Sequence, residues 1–371
     1  MTFSADAIAD CVLATFDQLP DKRKPRPRND GSKEWVPLAG IVLSKGNLFC
    51  CIRHALWLTL IAPVKTTSSP ASLWAHGNIL HDWHAEVLAI RTFNRFLLDQ
   101  CLLVSTPPYP SSPWIRQRPD TEHAEHEQQP FTIREDVQIH MYCSEAPCGD
   151  ASMELVMNAQ EDATPWTSAP PTISAASSNG DSEAALRGRS NFSHLGVIRC
   201  KPSRPDAPPT LTCERAFTTK GRMKDMRSEE WKGGYRWSEF DPKPTDREFK
   251  WSRRNIALGE KAVASNLSAV WSPTWQESLI GGVLQGRKQL DPRGASAICR
   301  RSVWKTAIQV AALAGVPALS QVLGKRTYAD MKGDETFEAR KKVKADVKAN
   351  GLKGWLQNSG DDGFSLEIGV S

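Results

Sequence analysis

His84 and Glu86 stand two residues apart in HDWHAEVLAI (81–90), and Cys148 follows Pro147 in PCGDAS. Neutral imidazole and thiolate suit Zn2+, and a site with three protein ligands keeps its fourth position for water. A metal held this way lowers the pKa of that water towards neutrality. A carboxylate two residues from the histidine can face the water, take its proton and pass it on. In this chemistry His84 and Cys148 are metal ligands and Glu86 is the catalytic proton carrier. Each half alone is a weak signal. A histidine at a helix start more often caps it or faces solvent, and a Pro-Cys turn is more often structural. Together, in this order and each opening a helix after a strand, they carry more. The positive end of a helix also favours ionised Cys148. The flanking His76 and His81 are read as structural or solvent-facing.

Secondary structure must bring these groups together. ADAIADCVLATFDQLP has apolar residues at Ile8, Val12 and Phe16, a helical spacing that stops before Pro20. DKRKPRPRNDGSK is a basic, proline-bearing loop, and EWVPLAGIVLS reads as one buried strand. After Cys50 and Cys51, RHALWLTLIAPVKTTSSPASLWAHGN fits neither period over its length. A helix is expected from Glu86 to Leu98, then a polar loop over SSPWIRQRPDTEHAEHEQQP. DVQIHMYCS alternates as a strand does, and APCGDASMELVMNAQ turns into a helix with Asp150 or Ser152 as caps. HLGVIRCK reads as a further strand, ASAICRRSVWKTAIQVAALAG as a helix ending at Gly315, and TFEARKKVKADVKANGLKGW as a basic helix. Strands alternating with helices predict an α/β domain.

The chain has 371 residues and a net charge of +5, from 47 Lys+Arg and 42 Asp+Glu. This mild basicity permits a nucleic-acid partner without requiring one. No apolar run approaches the roughly 18 residues that suggest a membrane span, and no charged start leads into a cleavable apolar segment. Nine cysteines without regular spacing then point to a reduced compartment, cytoplasmic and/or nuclear, where thiols serve metals or catalysis.

H-x-E followed by P-C is part of the signature of zinc deaminases. The sequence resembles the adenosine-to-inosine RNA editases, nearest the eukaryotic tRNA-specific adenosine deaminases. The resembling stretches are EWVPLAGIV, GNILHDWHAEVLAIRTFNRFLL, PCGDASMELVM, KPSRPDAPPTL, AVASNLSAVW, ESLIGGVLQGRKQLDPRGASAICRRSVWK and GLKGW, in order over most of the chain. The resemblance implies a cytidine-deaminase-like three-layer core, a central sheet flanked by helices, with family-specific C-terminal helical additions. Residues 1–40 form an N-terminal helix and basic loop of the same domain. Residues 41–371 form the editase domain, with flexible insertions near 105–132 and 163–191. The implied function is zinc-dependent hydrolytic deamination of adenosine in tRNA, next to the anticodon of tRNA-Ala. No membrane and no obligate protein partner are implied.

The sequence departs from the family in three places. The third family ligand is a cysteine in a segment reading S-C-S-D-K, shortly after APPTLS. Here DAPPTLTCERAFTTKGRMK follows, Ala151 stands three residues after Cys148, and no CSDK occurs. A block is missing between Thr212 and Cys213. Two readings of Cys213 stand: the substitute third ligand, or an ordinary cysteine. The GTGxK loop ahead of H-A-E is also replaced, by RHALWLTLIAPVKTTSSPASLW. A lost coding segment and an inactive variant both fit these departures.

The third departure touches a second cofactor. The family holds inositol hexakisphosphate inside the domain, a polyanion that needs converging cations and hydroxyls. The matching positions are Arg91, Arg300, Tyr328, Lys332, Lys341 and Trp355. Ile90 replaces a second arginine and Phe337 stands near an expected tyrosine. Without the resemblance, RKKVK reads as a solvated basic face.

From Arg199 to Arg254 the chain carries 15 Lys+Arg against 9 Asp+Glu, interleaved with Trp231, Tyr235, Trp237, Phe240 and Trp251. Such a stretch can contact phosphates and stack bases, although Trp and Arg are equally at home in cores and on surfaces. Two rival functions stand beside the tRNA deaminase. One is a catalytically inactive RNA-binding relic without the third ligand. The other is a deaminase of free nucleosides or cytosine, which would carry the compact P-C-x-x-C absent here.

Overall fold

The computed structural model describes residues 3–26, 28–46, 48–55, 75–119, 122, 129–147, 173–174, 183–184, 210–226, 231–257, 260–351 and 361–367. Helix α1 (Ala5–Asp17) starts where the Ser4 hydroxyl accepts the Ala7 N–H at 3.1 Å. It buries Ile8, Ala9, Val12 and Phe16, one face at helical spacing. The expected strand EWVPLAGIVLS is two. β1 (Lys33–Trp35) pairs in parallel with β9 (Ala262–Ala264), and β2 (Leu38–Lys45) belongs to the main sheet. Pro37 separates them, because it has no N–H to give a ladder.

β3 (Leu48–Ala55) pairs antiparallel with all of β2. Strand structure therefore continues through Ala55, past the point where the alternation fades in the sequence. With β6 (Gln138–Cys143), β10 (Ser268–Trp271), β11 (Gln276–Ile280) and β12 (Val283–Leu284), the sheet runs β12-β11-β10-β3-β2-β6. β2 sits between two neighbours and is buried on both faces, which explains its unbroken apolar run. Leu38 and Val42 pack with α1, while Ala39 and Ile41 pack with Leu88 and Ala89 of helix α2 (Ala85–Ser105). A helix thus covers each face of the sheet.

Gly40 sits where α1 crosses β2. A Cβ built there lies 2.8 Å from Cγ1 and 2.9 Å from Cγ2 of Val12. Gly40→Ala is therefore expected to destabilise the domain by about 1–3 kcal/mol through overpacking. A shift of the urea midpoint at unchanged slope checks this, and Val12→Ala in the same chain should relieve it.

α2 runs seven residues beyond the expected Leu98, to Ser105. The region near 105–132, expected to be a flexible polar insertion, is anchored where it is described. β4 (Ile115–Gln117) pairs with β5 (Phe131–Ile133). Trp114 and Ile115 are buried against Phe96 and Leu43, and Arg116 and Arg118 share Glu122. Within 163–191, β7 (Ile173–Ser174) pairs with β8 (Glu183–Ala184). The expected helix from PCGDAS and strand HLGVIRCK lie outside the described residues.

Helix α3 (Thr210–Phe217) carries Cys213. α4 (Arg300–Leu313) begins five residues later than Ala295, with Cys299 as its N-cap. The preceding turn is held instead by Glu277, which accepts from Ser296 Oγ at 2.5 Å and Ala297 N–H at 3.0 Å. α5 (Pro317–Leu323), α6 (Tyr328–Gly333) and the basic α7 (Glu338–Asn350) follow. Among the described residues no helix is long and apolar enough to cross a membrane.

Candidate active site

His84 is the N-cap of α2 and Glu86 lies in its first turn. The Asp82 carboxylate accepts from both the backbone N–H of His84, at 3.0 Å, and its Nδ1, at 2.8 Å. Burial opposes ionisation of Asp82, but these bonds from His84 outweigh it and hold its pKa below the ordinary value. An ionised carboxylate only accepts, so Nδ1 carries a proton, which puts the lone pair on Nε2 whenever the imidazole is neutral. Orientation of a ligating imidazole by a carboxylate is the usual support of a metal site.

Burial raises the pKa of Glu86, Asp82 adds to the rise, and the Glu86 backbone and His84 oppose it. A carboxyl raised in this way exchanges protons near neutrality more readily than an exposed one. Cys143 ends β6. Its thiol is pushed far up by burial first, then by the negative charges of Glu86 and Cys213. Those influences bring Cys213 and Glu86 to the surroundings of one thiol, five residues before Cys148. Cys148 itself lies outside the described residues. Among the described residues no three His, Cys, Asp or Glu side chains form a group able to hold a metal. By donor type the described part suits zinc in one respect, an imidazole oriented by a carboxylate, with one thiol that Glu86 and Cys213 both act on.

A cluster of cations adjoins this site. Arg91 is lowered in pKa by burial and then by Arg300. Lys332 is lowered to about 8 by burial, then by Arg340, Lys344 and Arg300. Lys344 is lowered by burial and by Arg340. Tyr328 lies among them, with Arg300 at 6.0 Å and Lys332 at 5.4 Å from its ring centre. Four expected residues, Arg91, Arg300, Tyr328 and Lys332, thus come together. Lys341 does not join them: it pairs with Glu338 at 2.7 Å and reaches the Gly333 carbonyl at 3.2 Å. Arg340 and Lys344, one helical turn apart, occupy the face that Lys341 lacks. Trp355 lies outside the described residues. Like charges gathered at partial burial are costly unless an anion joins them, so the donor set fits a polyanion. Arg91 also acts on Asp82, so the cluster borders the support of His84.

Much of the basic, aromatic stretch is used structurally. Arg247 pairs with Asp10 at 2.8 Å and Lys250 with Asp17 at 3.3 Å, both on α1. Phe249 is buried edge-on against Phe16, ring centres 4.8 Å apart. Trp231 donates to Asp346 of α7 at 3.0 Å. Arg254 donates to the Ser144 carbonyl at 2.7 Å, and Ser252 to Glu145. These last contacts hold the chain just before Pro147–Cys148. Lys232 and Arg236 remain exposed.

Asp82 has no role in the sequence patterns, Arg340 and Lys344 figure there only as part of the RKKVK basic face, and Arg254 only as the end of the basic, aromatic stretch. For Asp82 the signal is present: an acid two residues before a ligand histidine. For Arg340 and Lys344 it is their four-residue spacing.

The model of the adenosine-deaminase (editase) domain family matches residues 65–212. The match ends at the residue before Cys213. The chain is 31% identical over 409 aligned residues to the tRNA-specific adenosine deaminase 1 of Schizosaccharomyces pombe, covering 96% of this chain and 95% of that protein. It is 28% identical to that of Saccharomyces cerevisiae, over 60% of this chain and 52% of the relative. Against that of Homo sapiens it is 31% identical, over 41% of this chain and 29% of the relative.

Proposed function

The chain belongs to the tRNA-specific adenosine deaminase family, and we propose that it is a zinc-dependent enzyme converting adenosine to inosine in tRNA, next to the anticodon of tRNA-Ala. The observation that carries this reading is the Asp82–His84–Glu86 arrangement, a carboxylate fixing the imidazole beside a buried carboxyl of raised pKa. Helices on both faces of the sheet support a cytidine-deaminase-like core.

His84 would hold zinc through Nε2, with Cys148 and Cys213 as the thiolate ligands. Zinc, when bound, supplies a water of lowered pKa. The water's oxygen joins C6 of the adenine and the amino group leaves as ammonia. Glu86 would take one proton of the water to the ring nitrogen and, after addition at C6, the remaining hydroxyl proton to the departing amine. The target base must leave its stack to reach Glu86, which costs least in a loop. Lys232 and Arg236 are candidate contacts to the phosphates. The cluster of Arg91, Arg300, Tyr328, Lys332, Arg340 and Lys344 would hold inositol hexakisphosphate. Reduced thiols fit a cytoplasmic and/or nuclear setting.

A second reading, a catalytically inactive RNA-binding relic, is favoured by one observation: no CSDK segment occurs, and Ala151 stands three residues after Cys148. Zinc per chain decides between them. About one zinc per chain, lost in Cys213→Ala, is expected for the enzyme. Wild-type protein without zinc would leave the relic. Inosine formed in tRNA but not from free adenosine separates the proposed substrate from nucleosides.

A further inference from the structure

The loop 75–84, which delivers Asp82 and His84 to the start of α2, has no ladder or helix of its own to fix it. It contains two consecutive residues at positive φ, His76 at 47° and Gly77 at 71°. Such backbone persists only where its surroundings over-determine it. Here the determinants lie far along the chain. The Gly77 N–H donates to Oδ1 of Asp361 at 2.7 Å, and His81 Nε2 meets Oδ2 of the same carboxylate at 2.9 Å. Arg301 completes the clasp. Its backbone N–H donates to the Gly77 carbonyl at 3.1 Å and its Nε to the His76 carbonyl at 3.0 Å. Its Nη1 and Nη2 donate to the Leu366 and Ser365 carbonyls at 3.0 and 2.6 Å.

Both ends of this clasp are buried, Arg301 to 4% and Asp361 to 5% exposure. Buried charges are kept only with partners, and here the partners are the loop and, for Arg301, also the Leu366 and Ser365 carbonyls. Phe364 closes the contact: a Cβ on Gly77 would lie 2.2 Å from its ring. The other end of the segment is tied down too. Tyr328 and Ala329 donate backbone N–H groups to the Phe364 and Asp362 carbonyls at 2.9 and 2.8 Å.

We propose that Asp361 and Arg301 are positioning residues, through which segment 361–367 holds the 75–84 loop so that Asp82 presents His84 to the reaction. The proposal rests on the reading of His84 and Glu86 given above. A ligand imidazole displaced by an ångström or less loses most of its use, so the clasp should act on turnover more than on substrate binding.

The test uses the full chain with Asp361→Ala, Asp361→Asn and a packing control away from the loop, Val12→Ala. Amide hydrogen exchange over 75–84 is read in metal-stripped protein, and kcat and KM are read on tRNA. Asp361→Ala should raise exchange in 75–84 and lower kcat by about 10- to 100-fold, with KM within about twofold. Asp361→Asn, which still accepts the Gly77 N–H, should recover most of both. Val12→Ala, at a comparable loss of thermal midpoint, should change neither. If Asp361→Ala does not fold, His81→Gln replaces it and should raise exchange in the same residues. Unchanged exchange overturns the proposal. So does unchanged kcat despite raised exchange, or an equal loss of kcat in Val12→Ala. Wild-type protein without deaminase activity would count against the proposed function, and exchange would still decide whether the clasp holds the loop.

Discussion

Glu86→Gln lowers inosine formation by about 10²- to 10⁴-fold, the usual contribution of a positioned acid–base group. Zinc content stays at the wild-type level and tRNA affinity changes by less than about twofold. The amide keeps the shape and the hydrogen bonds of the carboxyl but cannot carry the proton. Gln is a cleaner probe than Ala here, because Ala also empties a half-buried position at the start of α2. The pattern separates two roles for Glu86. A group that only shapes the pocket would tolerate Gln, and kcat would hold. A proton carrier would not, and the deficit would appear in single-turnover rates as well as at steady state. Retained turnover in Glu86→Gln would remove Glu86 from the mechanism and leave the negative charge on Asp82 as the nearest alternative. Asp82→Asn offers the complementary contrast. It replaces the anionic acceptor of His84 Nδ1–H by a neutral amide oxygen, a weaker hydrogen bond, so it should lower zinc affinity where Glu86→Gln does not.

What the sequence makes legible follows from how local the cause is. His84 and Glu86 are readable because two residues of spacing at a helix start fix their relation. α1 is readable because Ile8, Val12 and Phe16 share one face, and β2 because burial on both sides leaves a continuous apolar run. Lys341 shows where local reading ends. RKKVK offers several cations, and only the rotation of α7 against Tyr328 and Lys332 selects Arg340 and Lys344. β4 and β5 are hidden because ion pairs rather than apolar alternation cover their outer faces. The clasp on the 75–84 loop is less visible still. Asp361 and Gly77 are 284 residues apart, and nothing in DDGF announces a partner so distant. The basic, aromatic stretch misleads in the opposite direction. Its composition suits nucleic acid, yet Arg247, Lys250 and Arg254 are engaged with Asp10, Asp17 and Glu145 of the same chain.

The cation cluster carries the second large expected effect. In protein stripped of polyanions, Lys332 has its pKa lowered to about 8 by burial and by Arg340, Lys344 and Arg300. Its unfolded value lies near 10.4. Between these values the unfolded chain binds more protons than the folded one, so stability rises with pH across that window. Below about 8 both states are protonated, and the folded state carries the full cost of the crowded cation. Inositol hexakisphosphate reverses the balance by giving the charges a partner. At a thousandfold excess over Kd it should stabilise the chain by about 4 kcal/mol, and the rise of stability between pH 8 and 10.4 should flatten. Lys332→Met makes the argument sharp, because its two effects have opposite signs. Met keeps a side chain of similar length beside the Tyr328 and Phe337 rings, over which the lysine Nζ now lies, giving up the cation–π attraction together with the charge. The stripped variant should therefore melt no lower than the stripped wild type, and its stability should lose the alkaline rise. Its gain from inositol hexakisphosphate should shrink at the same time. Lys341→Met serves as the control, since Lys341 is committed to Glu338, and both readings should stay at the wild-type level. If Lys332→Met destabilises the stripped protein as much as the loaded one, the lysine is an ordinary structural cation and the polyanion assignment fails. A plain ionic-strength effect would act alike on both lysines, so the difference between the two variants isolates the pocket from the basic surface around it.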